Sequence, residues 1–275
     1  MIKKVVFICG AGHSGSTLLG LLLGSHSKCF YLGEANKVQY LYNTDQPEKR
    51  RYCKVCGAEC KVWKEYSQKN DNEYDIYTGL EKIIENEVVI DSSKELNWLR
   101  GKINFLSSRK DREIYLIYLK RDGRAVINSR LRKQTDSSYT DIVQQWIMQV
   151  QDTNRIYNEF DGFKTIVPYH KLTKEPERVL RELCNVLNIG YEDRMLHFYE
   201  EEHHPLGGNN GTQFLLNRVR EKEALPHKVG MKKAYFASHP QKVKHDNRWK
   251  LELPEEARLV FAKLASELNE SFREE

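Results

Sequence analysis

The stretch Gly10–Thr17 carries the clearest chemical signal of the sequence. Its residues are Gly-Ala-Gly-His-Ser-Gly-Ser-Thr, and they lie between the apolar run Lys4–Cys9 and a second apolar run that ends at Leu23. Glycines let the backbone curl so that successive N–H groups face one anion, and the N-terminus of a following helix adds a positive partial charge. We therefore predict a phosphate-binding loop between a strand and a helix.

One position of this loop argues against hydrolysis of nucleoside triphosphates. The spacing of Gly10 and Gly15 nearly matches that of the P-loop of nucleotide triphosphatases, but Ser16 stands where that loop has a lysine. That lysine normally reaches the β- and γ-phosphates. The loop is thus expected to hold one phosphate group, and a P-loop kinase of a small molecule is an alternative function.

A second candidate anion site follows another apolar run. Arg121 and Asp122 come after Ile114–Leu119, and Ser129 lies eight residues beyond Arg121 on an expected helix that Asp122 would cap. An arginine at a strand end offers a bidentate fork to a phosphate, and a helical serine adds a hydroxyl donor. An ordinary basic helix face is the alternative for the arginines of this stretch, which are Arg121, Arg124, Arg130 and Arg132.

Both motifs resemble those of sulfotransferases that use 3′-phosphoadenosine 5′-phosphosulfate (PAPS). The first is similar to the family's 5′-phosphosulfate loop, although His13 stands where Lys or Arg is common. In the second, Arg121 and Ser129 match the pair that grips the 3′-phosphate. The resemblance is to bacterial members, including carbohydrate sulfotransferases, and to tyrosyl-protein sulfotransferases. The loop residues that it implies for donor binding are Gly12, His13, Ser14, Gly15, Ser16 and Thr17.

Three further segments extend the resemblance over most of the chain. Asp91-Ser92-Ser93-Lys94 matches a segment in which Lys94 would face the transferring sulfuryl group, with hydrogen bonds from the two serines. Tyr169 matches a tyrosine placed near the adenine. The stretch from His204 to Asn209 is similar to a loop of bacterial carbohydrate sulfotransferases. The resemblance implies PAPS as the donor, adenosine 3′,5′-bisphosphate as the product, and no required metal.

The resemblance also supplies candidates for the acid–base chemistry. Sulfuryl transfer needs a base for the acceptor proton and positive charge at the leaving oxygen. Glu34 matches the proposed base of tyrosyl-protein sulfotransferases, and a glutamate that caps the following helix is the alternative. His13 and His204 are competing bases. Lys94 and His13 are the candidates for stabilising the transferring group and the leaving phosphate.

Cys53, Cys56 and Cys60 form a cysteine-rich segment. Cys-x2-Cys is half of a zinc site and Cys60 could supply a third ligand, but the sequence holds no second Cys-x2-Cys to complete four cysteines. Bound zinc is therefore an alternative, and we expect a reduced loop that is structural or covers the acceptor. The six cysteines of the chain are too sparse for a disulfide framework.

Alternating patterns predict a P-loop-like α/β fold with three layers. Three- and four-residue apolar spacing predicts helices, among them Tyr77–Asn86 and the longest, Ser138–Phe160. We expect a mainly parallel sheet with helices on both faces and ligands at the carboxyl ends of the strands. The predicted strands are Lys4–Cys9, Cys29–Leu32, Val88–Ile90, Ile114–Leu119 and Thr165–Pro168.

Length and charge fit a single domain over residues 1–275 with two additions. Hydrophobic residues make up 40% of the chain, enough for a packed core. The additions are a cysteine-bearing insert at about 43–66 and a basic, lid-like segment at about 207–250. The net charge is +5, yet residues 218–250 alone carry a surplus of +7. The candidates for donor contact in this segment are Lys228, Lys232, Lys233 and Arg248.

These observations also limit the partners of the chain. No stretch approaches the ~18 apolar residues of a membrane helix, and no export signal is evident, so we expect a cytoplasmic protein without a membrane span. The placement of the basic residues favours a compact bisphosphate over nucleic acid. The expected acceptor is a hydroxyl or amine of a small molecule or carbohydrate. A non-catalytic binder of adenine nucleotides is a further alternative.

Overall fold

A five-stranded parallel sheet forms the centre of the molecule. The computed structural model describes residues 1–69, 75–134, 136–213, 216 and 242–274. The strand order is β2-β3-β1-β4-β5, and every neighbouring pair is parallel. The predicted sheet is confirmed, with each strand within two residues of its expected bounds. The strands are β1 (Lys4–Cys9), β2 (Cys29–Gly33), β3 (Val88–Asp91), β4 (Glu113–Lys120) and β5 (Phe163–Pro168).

Helices connect the strands and cover both faces of the sheet, as expected. In addition, 3-10 helices span Ala35–Tyr40, Asp193–His197 and Glu270–Phe272. The α-helices are α1 (Ser16–Gly24), α2 (Glu48–Arg51), α3 (Lys61–Lys69), α4 (Ile76–Leu80), α5 (Leu96–Arg109), α6 (Gly123–Leu131), α7 (Tyr139–Glu159), α8 (Tyr169–Lys174), α9 (Pro176–Val186), α10 (Trp249–Glu252) and α11 (Glu255–Asn269).

The sequence pattern was misleading at α4. A helix over Tyr77–Asn86 is predicted, but the α-helix ends at Leu80 and a turn follows. Ile83 and Ile84 donate backbone hydrogen bonds to the Leu80 carbonyl in that turn. The apolar spacing there reflects a turn that buries Leu80 and Ile84, and not a continuous helix.

Side chains from the two faces of the sheet pack into two cores. Along β1, Val5 and Phe7 lie in one core, and Val6 and Ile8 lie in the other. Successive side chains of a strand point to opposite faces, so a strand that is covered on both sides is apolar at every position. This arrangement explains the continuous apolar runs from which the strands were predicted.

The cysteine-bearing insert packs against the first of these cores. The side chain of Trp63 is fully buried, and Tyr66, Cys53 and Cys60 are buried in the same cluster. The sequence of the insert is polar overall, so it did not indicate that these four side chains belong to the core. The segment is therefore anchored to the body of the protein at several points.

The carboxyl ends of the strands lie at one edge of the sheet. The glycine loop follows β1 and Glu34 follows β2, while Lys94 lies three residues beyond β3. Arg121 follows β4 directly, and Tyr169 follows β5. Parallel strands thus bring together candidate residues that are far apart in the sequence.

Gly33 ends β2 at a close backbone contact. The Leu206 N–H donates to the Leu32 carbonyl at 2.8 Å, and the Glu34 N–H donates to the Leu206 carbonyl at 2.5 Å. Gly33 has a φ of +79°, and a Cβ there would lie 2.2 Å from the Leu206 carbonyl oxygen. Both the conformation and the space require glycine.

Replacement of Gly33 by alanine tests this contact. We expect Gly33→Ala to lower the free energy of unfolding by about 1–3 kcal/mol, measured by urea unfolding, because the Leu206 backbone must move and the φ is strained. The control is Gly101→Ala in α5, where a Cβ meets nothing within 4 Å. That variant should gain up to about 1 kcal/mol from helix propensity. Equal free energies of unfolding of the two variants would contradict the requirement for glycine at position 33.

Candidate active site

The loop between β1 and α1 adopts a curled backbone. Gly10, His13 and Gly15 have φ values of +134°, +72° and +100°. Gly15 occupies the N-cap of α1 and offers no side-chain cap to the first N–H groups of the helix. The Ser14 hydroxyl is buried and makes no hydrogen bond to any residue that the structure describes. The loop therefore presents backbone and hydroxyl groups suited to an anion.

Tyr169 lies under this loop. A Cβ on Gly15 would come within 2.7 Å of the Tyr169 ring. The Arg121 guanidinium lies 4.2 Å from the centre of the same ring, in the range of a cation–π contact. Tyr169 thus supports the phosphate loop and Arg121 together, while its expected place near an adenine stays a prediction.

His13 is held as a neutral imidazole. Its Nδ1 lies 3.2 Å from the Ser129 hydroxyl. Burial, together with the positive charges of Lys133 and Arg130, lowers the pKa of His13 to about 3. The imidazole of His13 is therefore uncharged at neutral pH. His13 can offer a hydrogen bond to a phosphate, but not the full positive charge that a lysine or an arginine would supply at this position.

Arg121 is buried and already engaged by protein groups. Its Nη1 donates to the His13 carbonyl at 3.0 Å, and its Nη2 lies 3.2 Å from the Asp246 carboxylate. Asp246 also accepts a hydrogen bond from Arg248 at 2.7 Å. Arg121 therefore braces the loop. Of the expected lid residues, Arg248 is joined to this site through Asp246, and Lys228, Lys232 and Lys233 lie outside the described residues.

Arg130 is buried next to the glycine loop, a position that was not predicted from the sequence. It is only 4% exposed, and its guanidinium donates to the Gln149 side-chain oxygen, which also accepts the Gly12 N–H at 3.1 Å. No carboxylate among the described residues pairs with Arg130. Burial lowers its pKa to about 10. Because an unpaired buried cation is costly, this position favours an anion at the loop.

A signal for Arg130 was present in the sequence. Arg130 follows Val126 and Ile127 by four and three residues, so it lies on the apolar face of α6 and not on a solvated one. The other helical expectations here are confirmed: α6 begins at Gly123, and Asp122 caps it by accepting the Arg124 N–H at 2.9 Å.

Glu34 stands at the edge of the sheet with its carboxylate against Gly207. A Cβ on Gly207 would lie 2.7 Å from Glu34 Oε2, and the same oxygen lies 3.3 Å from Lys37 Nζ. Glu34 occupies the N-cap of the 3-10 helix but makes no side-chain capping hydrogen bond. Glu34 thus stands at the N-terminus of that helix, as the capping alternative expects, but its side chain makes no capping hydrogen bond and the carboxylate is partly exposed.

Asp91 braces the backbone next to Glu34. Its Oδ1 accepts hydrogen bonds from the Ala35 N–H at 3.2 Å and from the Ser93 N–H and hydroxyl at 2.7 and 2.5 Å. Its Oδ2 accepts the Trp98 indole N–H at 2.9 Å. Burial raises the pKa of Asp91, and these hydrogen bonds oppose that shift. This positioning role was not found from the sequence.

The serines of the same segment also hold the backbone. The Ser92 hydroxyl donates to the Gly33 carbonyl at 3.0 Å and accepts from the Tyr31 hydroxyl at 2.8 Å. The Ser93 hydroxyl is bound to Asp91. The expectation that both serines donate to a transferring group is corrected, because the Ser92 proton is used on the Gly33 carbonyl of β2 and the Ser93 proton on the Asp91 carboxylate.

Lys94 reaches beneath the start of the phosphate loop. Its ammonium donates to the Ile8 carbonyl at 3.1 Å. Burial lowers the pKa of Lys94 to about 8, and the nearby Cys9, Glu34 and Asp91 oppose that shift. The pKa of Lys94 is therefore close to neutral pH. Lys94 and Glu34 both lie at the carboxyl ends of the strands.

His204 lies among the cysteines of the insert. Its Nδ1 is 3.3 Å from Cys56 Sγ and 3.4 Å from Cys60 Sγ. The sequence reasoning did not link these residues, because 148 positions separate Cys56 from His204. The loop that follows His204 reaches the first turn of α1, where the Asn209 N–H donates to the Thr17 hydroxyl at 3.0 Å.

Comparison with solved structures identifies the fold as that of sulfotransferase domains. The sulfotransferase domain from the curacin biosynthetic pathway is 20% identical, with a TM-score of 0.61, over 96% of this chain and 98% of that domain. The sulfotransferase domain of the Synechococcus PCC 7002 olefin synthase is 21% identical, with a TM-score of 0.57, over 86% of this chain and 94% of that domain. The expected fold class is confirmed.

Sequence comparison adds one relative. An uncharacterized protein of Aquifex aeolicus is 26% identical over 211 residues, which are 72% of this chain and 27% of that protein. This chain thus spans about a quarter of the length of that relative. No protein-family model matches the chain. Within the part of the chain that is described, no helix is both long and apolar enough to cross a membrane.

The buried charge of Arg130 gives a test of the anion site. We expect Arg130→Met to keep its free energy of unfolding within about 1 kcal/mol of the wild type, because the lost hydrogen bond is offset by relief of the buried charge. Added phosphate should raise the Tm of the wild type and not that of the variant. Thermal unfolding with and without phosphate measures both quantities.

The matched control is Arg155→Met, on an exposed position of α7. It should keep the wild-type response to phosphate. A strongly destabilised Arg130→Met protein that phosphate still protects would contradict the assignment of Arg130 to the anion site.

Proposed function

We propose that this protein is a sulfotransferase that moves a sulfuryl group from PAPS to a hydroxyl or amine of a small-molecule or carbohydrate acceptor. The observation that carries the proposal is a phosphate loop without the P-loop lysine, placed beside the buried Arg130 and next to Glu34 and Lys94. The fold shared with sulfotransferase domains supports the same assignment.

Two groups of residues would hold the donor at its two ends. The loop from Gly12 to Thr17 and the first turn of α1 would bind the 5′-phosphosulfate through N–H groups and hydroxyls. Arg121 and Ser129 would bind the 3′-phosphate, and Arg130 would supply the charge that neutral His13 lacks. Arg121 must first leave the Asp246 carboxylate, which lies 3.2 Å away. Tyr169 would keep the loop and Arg121 in place.

The transfer needs only one proton acceptor from the protein. The acceptor oxygen or nitrogen forms a bond to sulfur as the bond between sulfur and the 5′-phosphate oxygen breaks, and adenosine 3′,5′-bisphosphate leaves with the electron pair. Glu34 takes the acceptor proton, and Lys94 stabilises the charge that develops on the transferring group and leaving oxygen. Asp91 holds the backbone that orients Glu34.

Two alternatives predict different chemistry. A small-molecule kinase is disfavoured because Ser16 replaces the lysine that contacts the β- and γ-phosphates. A non-catalytic binder of adenine nucleotides would use the same loop but would not need a carboxylate beside it. The position of Glu34 against the loop that holds Gly207 favours an enzyme.

The proposal is tested by binding and turnover of the full chain. We expect calorimetry to detect binding of adenosine 3′,5′-bisphosphate, and PAPS to be consumed with an acceptor from a panel of alcohols, amines and carbohydrates. Glu34→Gln should bind the bisphosphate like the wild type and lose ~10²–10⁴ of its turnover rate, because the base is removed and the shape is kept. Glu59→Gln, on an exposed part of the insert, is the matched control.

Three outcomes would change the assignment. Absence of bisphosphate binding by the folded protein would reject the proposal. Binding without turnover on the whole panel would favour the non-catalytic binder, and consumption of magnesium-ATP would favour the kinase. A Glu34→Gln enzyme near full activity would reject the role of Glu34 as the base.

The titration of Lys94 predicts a pH dependence. The ammonium is charged below its pKa of about 8 and neutral above it, so kcat/KM for the donor should fall as the pH rises beyond about 8. The variant Lys94→Arg should keep its activity to higher pH, since a guanidinium stays protonated. Lys64→Arg, on an exposed face of α3, should keep the wild-type profile. An unchanged alkaline limb in Lys94→Arg would exclude Lys94 as its source.

A further inference from the structure

Four side chains from two distant segments converge on one point. One ligand atom from each of Cys53, Cys56, Cys60 and His204 lies within 4.8 Å of the other three. The His204 Nδ1 is 3.3 and 3.4 Å from two of the sulfur atoms. In a tetrahedral site with Zn–S of about 2.3 Å and Zn–N of about 2.0 Å, a sulfur and a nitrogen ligand lie about 3.5 Å apart.

We propose that these four side chains bind one Zn²⁺ ion in a closed structural site. Three thiolates and one imidazole form a complete tetrahedral ligand set of the soft and intermediate type that zinc prefers. With four protein ligands no position is left open for water or substrate, so the ion has a structural and not a catalytic role. His204 supplies the fourth ligand that the sequence of the insert lacked.

The surroundings of the ligands fit a metal site. The N–H groups of Val55 and Cys56 both approach Cys53 Sγ at 3.5 Å, where they stabilise a thiolate. Gly57 follows Cys56 with a φ of +66°, and its N–H donates to the Cys53 carbonyl at 3.1 Å, which closes a tight turn around the sulfur atoms. These outer contacts fix the direction of the sulfur ligands.

The histidine is oriented in the same manner. Its Nε2 lies 3.3 Å from the Glu202 carboxylate, so the ring can donate a proton there and turn Nδ1 toward the sulfurs. A carboxylate on the second nitrogen is the usual support of a metal-bound histidine. The backbone of the residue is also held, because the Trp63 indole N–H donates to the His204 carbonyl at 2.5 Å. These contacts hold the ligand side chains in place around the point where the ion would bind.

The ion would fasten the wall of the candidate active site. The Lys54 N–H donates to the Pro205 carbonyl at 3.0 Å, and the next residue, Leu206, exchanges hydrogen bonds with Leu32 and Glu34. Zinc at this point joins the insert to that loop and so holds Gly207 against the Glu34 carboxylate. The metal site is argued from the positions of its four ligands alone. Only the consequence that zinc supports turnover, by holding Gly207 against Glu34, rests on the proposed function.

Metal analysis of the full chain tests the site. We expect elemental analysis of protein purified without chelators or a metal-affinity tag to find about one zinc ion per chain. After dialysis, the zinc content of Cys60→Ser and of His204→Ala should be lower than that of the wild type by a factor of about ten or more. Cys184→Ser is the matched control, since this buried thiol lies outside the cluster and should leave the zinc content unchanged.

A second measurement covers the case in which the ligand variants do not fold. Wild-type protein freed of zinc and loaded with Co²⁺ should show the visible absorption of a tetrahedral cobalt thiolate. Lack of bound zinc together with lack of this spectrum would overturn the proposal. A disulfide between two of the three cysteines, found by mass spectrometry of freshly purified protein, would also overturn it, as would full zinc content in Cys60→Ser.

Hydrogen exchange tests the fastening separately. Removal of zinc should speed exchange of the Leu206 and Glu34 amides, while the Ile117 amide in the central strand β4 stays protected. Equal protection with and without zinc would limit the ion to a local role and reject the fastening. Zinc content does not depend on bisphosphate binding, so a failure of the proposed function and a failure of the metal site are distinguished.

Discussion

The arrangement of the candidate site depends on a positive charge, that of Arg130, which is buried beside the glycine loop Gly10–Thr17. The guanidinium of Arg130 has a neutral amide, that of Gln149, as its partner, and the same amide oxygen holds the Gly12 N–H. Burial first, and then the positive charges of Lys133 and Arg130, lower the pKa of His13 and so disfavour a further charge in this loop. The buried charge of Arg130, which is hydrogen-bonded to a neutral amide, therefore favours an anion at this loop.

The second requirement is a wall that holds the Glu34 carboxylate in place at the carboxyl end of β2. The backbone of Leu206 joins its own loop to two other segments. It exchanges hydrogen bonds with Leu32 and Glu34 on both sides of Gly33, and it forms a β-bridge with Cys53 of the insert. Glu34 is held between this loop and the brace from Asp91. The carboxylate and the basic cluster belong to different strand ends, so each is fixed by its own contacts.

Most of the fold could be predicted from the sequence, and less of the site. Strands buried on both faces leave continuous apolar runs, and the glycine loop leaves a local motif, so both were found. The role of Asp91 depends on which neighbours surround its side chain after folding, and no local pattern reports that. The spacing to Val126 and Ile127 places Arg130 on the apolar face of α6, but its partner Gln149 could not be inferred from that spacing. The link between Cys56 and His204 spans 148 positions and could not be inferred from spacing. Ser92 and Ser93 were identified, but their hydrogen-bond partners were not.

The contact between Leu206 and the end of β2 also has a consequence for the order of folding. The bonds at Gly33 join residues that lie on either side of β3, β4 and β5 in the sequence. Closing so long a segment is entropically costly until the intervening sheet has shortened the path between its ends. The sheet and the phosphate loop are therefore expected to form before the wall beside Glu34. Chains interrupted late in folding would have an anion site before they have a complete site for transfer.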